Sequence, residues 1–225
     1  MSDAVDWVAL SLSLRLGVLT VMLLLPVGIL CGRWLALCRF RGRAAVEAVL
    51  ALPLVLPPTV VGFYLLGLFN DAAWFARAWR AVFGGSLAFS FEGLLIASVL
   101  INLPFAIQPM QRAFEAVPAG QREAAAVCGA TGWRIAATID LPQAWPGIVT
   151  AMVLCFAHTL GEFGVVLMVG GAIPGETRTV AIAIYDRVQA FDLAAAREMS
   201  LLLALLSFAT MGIVYALSNR LVPRM

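Results

Sequence analysis

Five stretches of this chain are so long and so apolar that only a membrane accommodates them. They run from about Leu10 to Leu37, Val46 to Phe69, Leu94 to Met110, Trp145 to Val169 and Met199 to Leu217. A helix needs ~20 mostly apolar residues to cross a bilayer. Backbone N–H and C=O groups find no other partners in hydrocarbon, so each stretch is expected to be helical. Hydrophobic residues make up 62% of the 225 and charged residues 12%, against ~45–50% and ~25% in soluble domains. A body this small has no interior for the excess, so the lipid bilayer is its expected solvent. The expectation is an all-α polytopic membrane protein with one membrane domain over residues 1–225. Asp3 and Asp6 occupy the place where a secretory signal has a basic patch, so the first stretch reads as a retained span.

Arginine placement orients the spans. Arg39, Arg41 and Arg43 follow the first, Arg112, Arg122 and Arg134 lie between the third and fourth, and Arg220 and Arg224 follow the fifth. The positive-inside rule puts these in the cytoplasm, with the N-terminus out and the C-terminus in. Arg77, Arg80, Arg178, Arg187 and Arg197 fall on the other side and weaken the bias. Trp74, Phe75, Ala78, Trp79, Val82 and Phe83 share one helical face, opposite Arg77 and Arg80. That pattern predicts a helix lying in the interface, ended by Gly84-Gly85.

Other functions lack their residues. The net charge is +2 and the arginines are scattered, which argues against nucleic-acid binding. Cys31, Cys38, Cys128 and Cys155 show no paired spacing, so they read as core hydrophobes rather than a disulfide or zinc framework. His158 is the single histidine, and it shares a helix face with Glu162. A metal needs further ligands, so neither metal nor cofactor is expected. The same pair is all that an intramembrane hydrolase would have to work with. A proton-coupled secondary carrier would use Glu162, but such carriers usually show inverted repeats and more helices. Both remain as alternatives.

The segment 111–144 carries the most specific signal. It reads Glu123-Ala124-Ala125, three residues, Gly129, nine residues, then Ile139-Asp140-Leu141-Pro142. Alanine-rich sequence from Glu123 onward favours a helix, and Gly129 suits a left-handed end to it. Thr131 caps a second short helix through Ile139, which Pro142 closes. Two such helices form a small, alanine-faced knob. The pattern resembles the EAA motif of ABC importer permeases at every fixed position. The resemblance implies the type I importer permease fold, with Glu123, Ala124, Ala125, Gly129, Ile139, Leu141 and Pro142 forming the contact to a separate cytoplasmic ATPase. The chain has no GxxxxGK[ST] phosphate loop of its own, so it is not expected to be an enzyme.

Further segments resemble the molybdate branch of these permeases. They are Arg39-Phe40-Arg41-Gly42, the run Leu52-Pro53-Leu54-Val55-Leu56-Pro57-Pro58-Thr59, Leu160-Gly161-Glu162-Phe163-Gly164, and Ile173-Pro174-Gly175-Glu176-Thr177-Arg178-Thr179. Sulfate permeases are close relatives, and sulfate or tungstate stands as the alternative cargo. Ala172 departs from an expected Asn, and His158 from an expected Arg. The resemblance implies a homodimer in a bacterial inner membrane, two ATPase copies, and an external molybdate-binding protein.

Pro57, Pro58, Thr59, Glu162 and Gly164 are the candidates for the translocation path or its gate. Prolines inside a span are tolerated where protein or a water-filled cavity satisfies the freed groups, so a path-lining kink and a packing kink both fit. A carboxylate within the membrane faces the bundle interior or a cavity. Glu162 is therefore a gate residue or half of a buried ion pair with an arginine, from this chain or a second copy.

Overall fold

The structure is a computed structural model that describes residues 5–221, with side chains up to residue 212. Asp3 and Arg224 lie outside the described residues, as does the side chain of Arg220. Among the described residues the secondary structure is helical throughout. Asp6 accepts a hydrogen bond from the Ala9 N–H at 2.9 Å and so starts α1, Trp7–Leu37. At 1.5 Å per residue, α1 is longer than the ~30 Å hydrocarbon layer, and it carries the arginine cluster 39–43 beyond its end.

The second apolar stretch is two helices, not one. α2, Arg43–Val55, and α3, Pro58–Phe69, meet at 107°. Tandem prolines explain the break. A proline disfavours helical ψ in the residue before it, and here Leu56 has ψ 140 and Pro57 ψ 135. Pro53 stays inside α2. α4, Trp74–Phe83, follows where the aromatic face predicts it, and Gly84 ends it in the left-handed region at φ 80. Arg80 pairs with the exposed Asp71 on the connecting turn, and its guanidinium holds that carboxyl below the usual aspartate range.

α5, Phe91–Glu115, begins with Ser90 accepting from the Gly93 N–H at 3.1 Å. Next come α6, Ala119–Val127, α7, Gly132–Ile135, a π-helical turn over Ala136–Asp140, and α8, Leu141–Gly161. After a break at Glu162-Phe163 come α9, Gly164–Gly170, α10, Val180–Gln189, and α11, Leu193–Leu221. Pro142 does not close the second short helix as the sequence suggests: α7, the π-turn and α8 run on as one rod, Gly132–Gly161. In α geometry the Pro142 ring would clash with the carbonyl four residues back. The π-turn spreads that site, with the Leu141 N–H donating to the Ala136 carbonyl instead.

α5 is the hub, packed on α1, α8, α9 and α2, while α1 also packs on α8 and α3 on α9. In lipid, helices associate through close packing of small residues and polar contacts rather than by a hydrophobic drive. A Cβ on Gly28 would lie 2.7 Å from Met110 Sδ, and one on Gly32 3.0 Å from the Gln111 backbone nitrogen. Deeper in the bundle, a buried polar seam joins α1, α5 and α8. The Thr20 hydroxyl donates to Ser98 Oγ at 2.9 Å, and Asn102 Nδ2 donates to the Ser98 carbonyl at 2.8 Å and to Thr159 Oγ1 at 3.1 Å. Because Gly32 faces backbone that cannot yield, Gly32→Leu is expected to cost about 1–3 kcal/mol or more by overpacking. The thermal midpoint in detergent should fall; an unchanged midpoint would show that α1 does not seat on α5 in this way.

Candidate functional site: an exposed helical knob and two broken helices

α6 has no buried residue. Glu123 and Ala124 are exposed, Ala125 is half-buried, and Val127 is 89% exposed. The helix ends in a Schellman arrangement, which satisfies the last carbonyls. The Ala130 N–H donates to the Ala125 carbonyl at 3.0 Å and the Gly129 N–H to that of Ala126 at 2.9 Å. Gly129 adopts φ 81, where a side chain would be strained. Thr131 then caps α7, accepting from the Arg134 N–H at 3.4 Å. The motif residues divide into two groups. Glu123, Ala124 and Gly129 project outward with Pro142, while Ile139 is half-buried and Leu141 packs toward the core of Met110 and Phe114.

The residue that joins these groups, Asp140, was not legible as a functional position. It sits in the π-turn, fully buried. Arg33 of α1 donates to its Oδ2 from Nε at 2.8 Å, and Arg122 of α6 to its Oδ1 from Nε at 2.6 Å. Arg122 also donates to the carbonyls of Phe114 at 2.8 Å and Val117 at 3.2 Å, capping the end of α5. The one available signal was a lone carboxylate at the edge of an apolar run, which requires a buried partner. Nearby, α2 also lacks buried residues, and Arg43 and Glu47 tie it to Glu115 and Gln111 of α5.

The candidate path residues come together at the two helix breaks. Pro57, Pro58 and Thr59 are exposed at the head of α3, and a Cβ on Gly164 would lie 2.8 Å from Pro58 Cβ. Glu162 Oε1 accepts from the Val165 N–H at 2.9 Å, satisfying an orphan donor of α9. Among the described residues its titratable neighbour is His158 rather than an arginine, at 3.8 Å between Nε2 and Oε2. The Asn102 amide nitrogen is engaged with Ser98 and Thr159, so its oxygen faces His158 Nδ1 at 3.2 Å. That network assigns the hydrogen to Nδ1. Among the described residues no three or more His, Cys, Asp or Glu side chains gather at a metal-binding distance.

The sequence of residues 25–225 matches the family described as binding-protein-dependent transport system inner membrane component. The chain belongs to that family. It is a multi-pass membrane permease subunit, a transport component. This permease is 46% identical to the molybdenum transport system permease protein ModB of Azotobacter vinelandii, over 94% of this chain and 93% of the relative. It is 30% identical to the sulfate transport system permease protein CysT of Escherichia coli strain K12, over 86% of this chain and 69% of the relative. Its fold matches that in the crystal structure of a bacterial ABC transporter that imports alginate, with TM-score 0.80, 18% identity, and coverage of 99% of this chain and 82% of the other.

The Glu162 cap yields a stability test. Glu162→Gln keeps an acceptor for the Val165 N–H, whereas Glu162→Ala leaves a buried donor unsatisfied, at about 1–3 kcal/mol. Thermal unfolding in detergent should rank the permease Glu162, then Gln, then Ala. Equal midpoints for the Gln and Ala variants would remove the capping role.

Proposed function

We propose that this permease moves molybdate into the cytoplasm, driven by ATP hydrolysis on a separate subunit that docks on α6. The observation that carries the proposal is the exposed, alanine-faced α6 with its Gly129 turn, in a chain 46% identical to a molybdenum permease. No residue of α6 is fully buried within its own chain, as suits a surface reserved for another protein. Glu123 stands exposed at the middle of α6, where a basic group of the ATPase would meet it.

Geometry supports a paired assembly. Among the described residues, four long helices and one bent pair are few to enclose a path, and one knob serves one ATPase. A two-fold pair of permeases with two ATPases answers both needs, and such closed pairs are the commonest oligomers. The oxyanion then crosses at the dimer axis, past the head of α3. There the Thr59 hydroxyl and the partial positive charge of the helix N-terminus suit a dianion. Glu162 repels a dianion and serves as a gate element beside Gly164, not as a ligand. An external binding protein delivers the oxyanion, and most of the selectivity rests there. The N-terminus is out, and segment 111–144 is cytoplasmic.

Sulfate is the second reading, favoured by the 30% identity to a sulfate permease. Vesicles holding the permease, its ATPase and its binding protein should take up labelled molybdate on addition of ATP. A tenfold excess of sulfate should leave that uptake intact; competition at equal concentrations would favour the sulfate reading. Glu123→Arg and Gly129→Leu should each lower uptake by about tenfold, the equivalent of one charge-assisted contact, while ATP hydrolysis persists. Normal uptake in both variants would remove the docking role of α6.

A further inference from the structure

α6 has no buried side chain, so apolar packing does not fix its direction. Besides the chain itself, polar joints hold it to the bundle. Gln121 accepts from Gln143 at an exposed position. The other joint is built deeper. The Arg122 side chain is 17% exposed and that of Asp140 is fully buried. Arg33 completes it from α1, with Nη2 2.8 Å from Asp140 Oδ2. One carboxylate thus connects α6, α1 and the π-turn leading into α8. Through the Phe114 and Val117 carbonyls, Arg122 adds the end of α5.

Charge-assisted bonds of this kind are stronger and more directional than neutral ones. The two guanidinium planes fix orientation as well as distance. The π-turn is itself a departure from regular helix, and such turns concentrate at functional places. Here it places Asp140 between Arg33 and Arg122. A push on the exposed face of α6 reaches α1 directly through this carboxylate, and reaches α5 through the two carbonyls.

We propose that Asp140 is a positioning residue that makes the ATPase-contacting helix α6 and the spanning helix α1 move as one body during transport. The proposal rests on α6 being the ATPase contact. Its role lies in transmission: it touches neither cargo nor nucleotide.

The test uses the whole complex in vesicles and reads ATP hydrolysed per molybdate taken up. Asp140→Asn keeps the shape and removes the charge. Arg122→Met leaves Asp140 paired with Arg33 and serves where the first variant fails to fold. Both should raise the ratio about tenfold, the loss of one charge-assisted bond, and Arg122→Lys should restore most of the coupling. Amide exchange over 119–127 in the variants should quicken while that of α1 and α8 stays unchanged. A wild-type ratio in Arg122→Met would overturn the proposal, as would a raised ratio with no change in α6 exchange. A wild-type ATPase that gives α6 no protection from exchange would remove the docking reading instead and leave the joint standing.

Discussion

Inside a bilayer every backbone N–H and C=O must find its partner within the protein. A helix interrupted there is held by whatever satisfies the freed groups; among the described residues two apolar stretches are interrupted, and the helix leading into one of them is widened. At Leu56-Pro57-Pro58 the prolines have no N–H groups to leave orphaned, and the chain turns through 107°. At Glu162 a carboxylate supplies the missing acceptor to α9. At Ala136–Asp140 the helix continues with a wider turn and accommodates Pro142. Each of these places carries a polar group: the Thr59 hydroxyl at the head of α3, the His158–Glu162 pair, and the Asp140 joint.

The bundle divides into a packed frame and attached parts. α1, α5 and α8 form the frame, close enough at Gly28 and Gly32 that an added methyl collides, and joined by the Thr20–Ser98–Asn102–Thr159 seam. α2 and α6 are attached parts with no buried residues, held to the frame by the Arg43–Glu115 and Arg122–Asp140 ion pairs. Polar attachment leaves their outer faces available while the ion pairs set their orientation on the frame. A transporter that receives work from outside needs such faces joined to such a frame, since densely packed interiors transmit strain.

Local chemistry made much of this legible. The apolar stretches fell on helices but did not show the breaks at Pro57 and at Glu162-Phe163, and the aromatic face of Trp74 to Phe83 fell on α4. Gly129 and Thr131 gave the end of α6 and the start of α7, because those roles depend on one residue's own backbone or hydroxyl. Partners distant in sequence stayed hidden. Arg33 and Asp140 are 107 residues apart, and nothing in the spacing of either residue points to the other. Glu162 was legible as a costly intramembrane carboxylate, but its cap on Val165 depends on where α9 begins. Pro142 read as a stop because a single proline usually is one; the π-turn that lets the helix pass has no local signature.

The proposed docking requires α6 to lie on the cytoplasmic side and under an ATPase. Cys128, exposed at the end of α6, reports on both points directly. A membrane-impermeant maleimide, with the modified peptide identified by mass spectrometry, should leave Cys128 untouched in intact cells and label it in inverted vesicles. Added ATPase subunit should protect it. Labelling of Cys128 from outside intact cells would contradict the account.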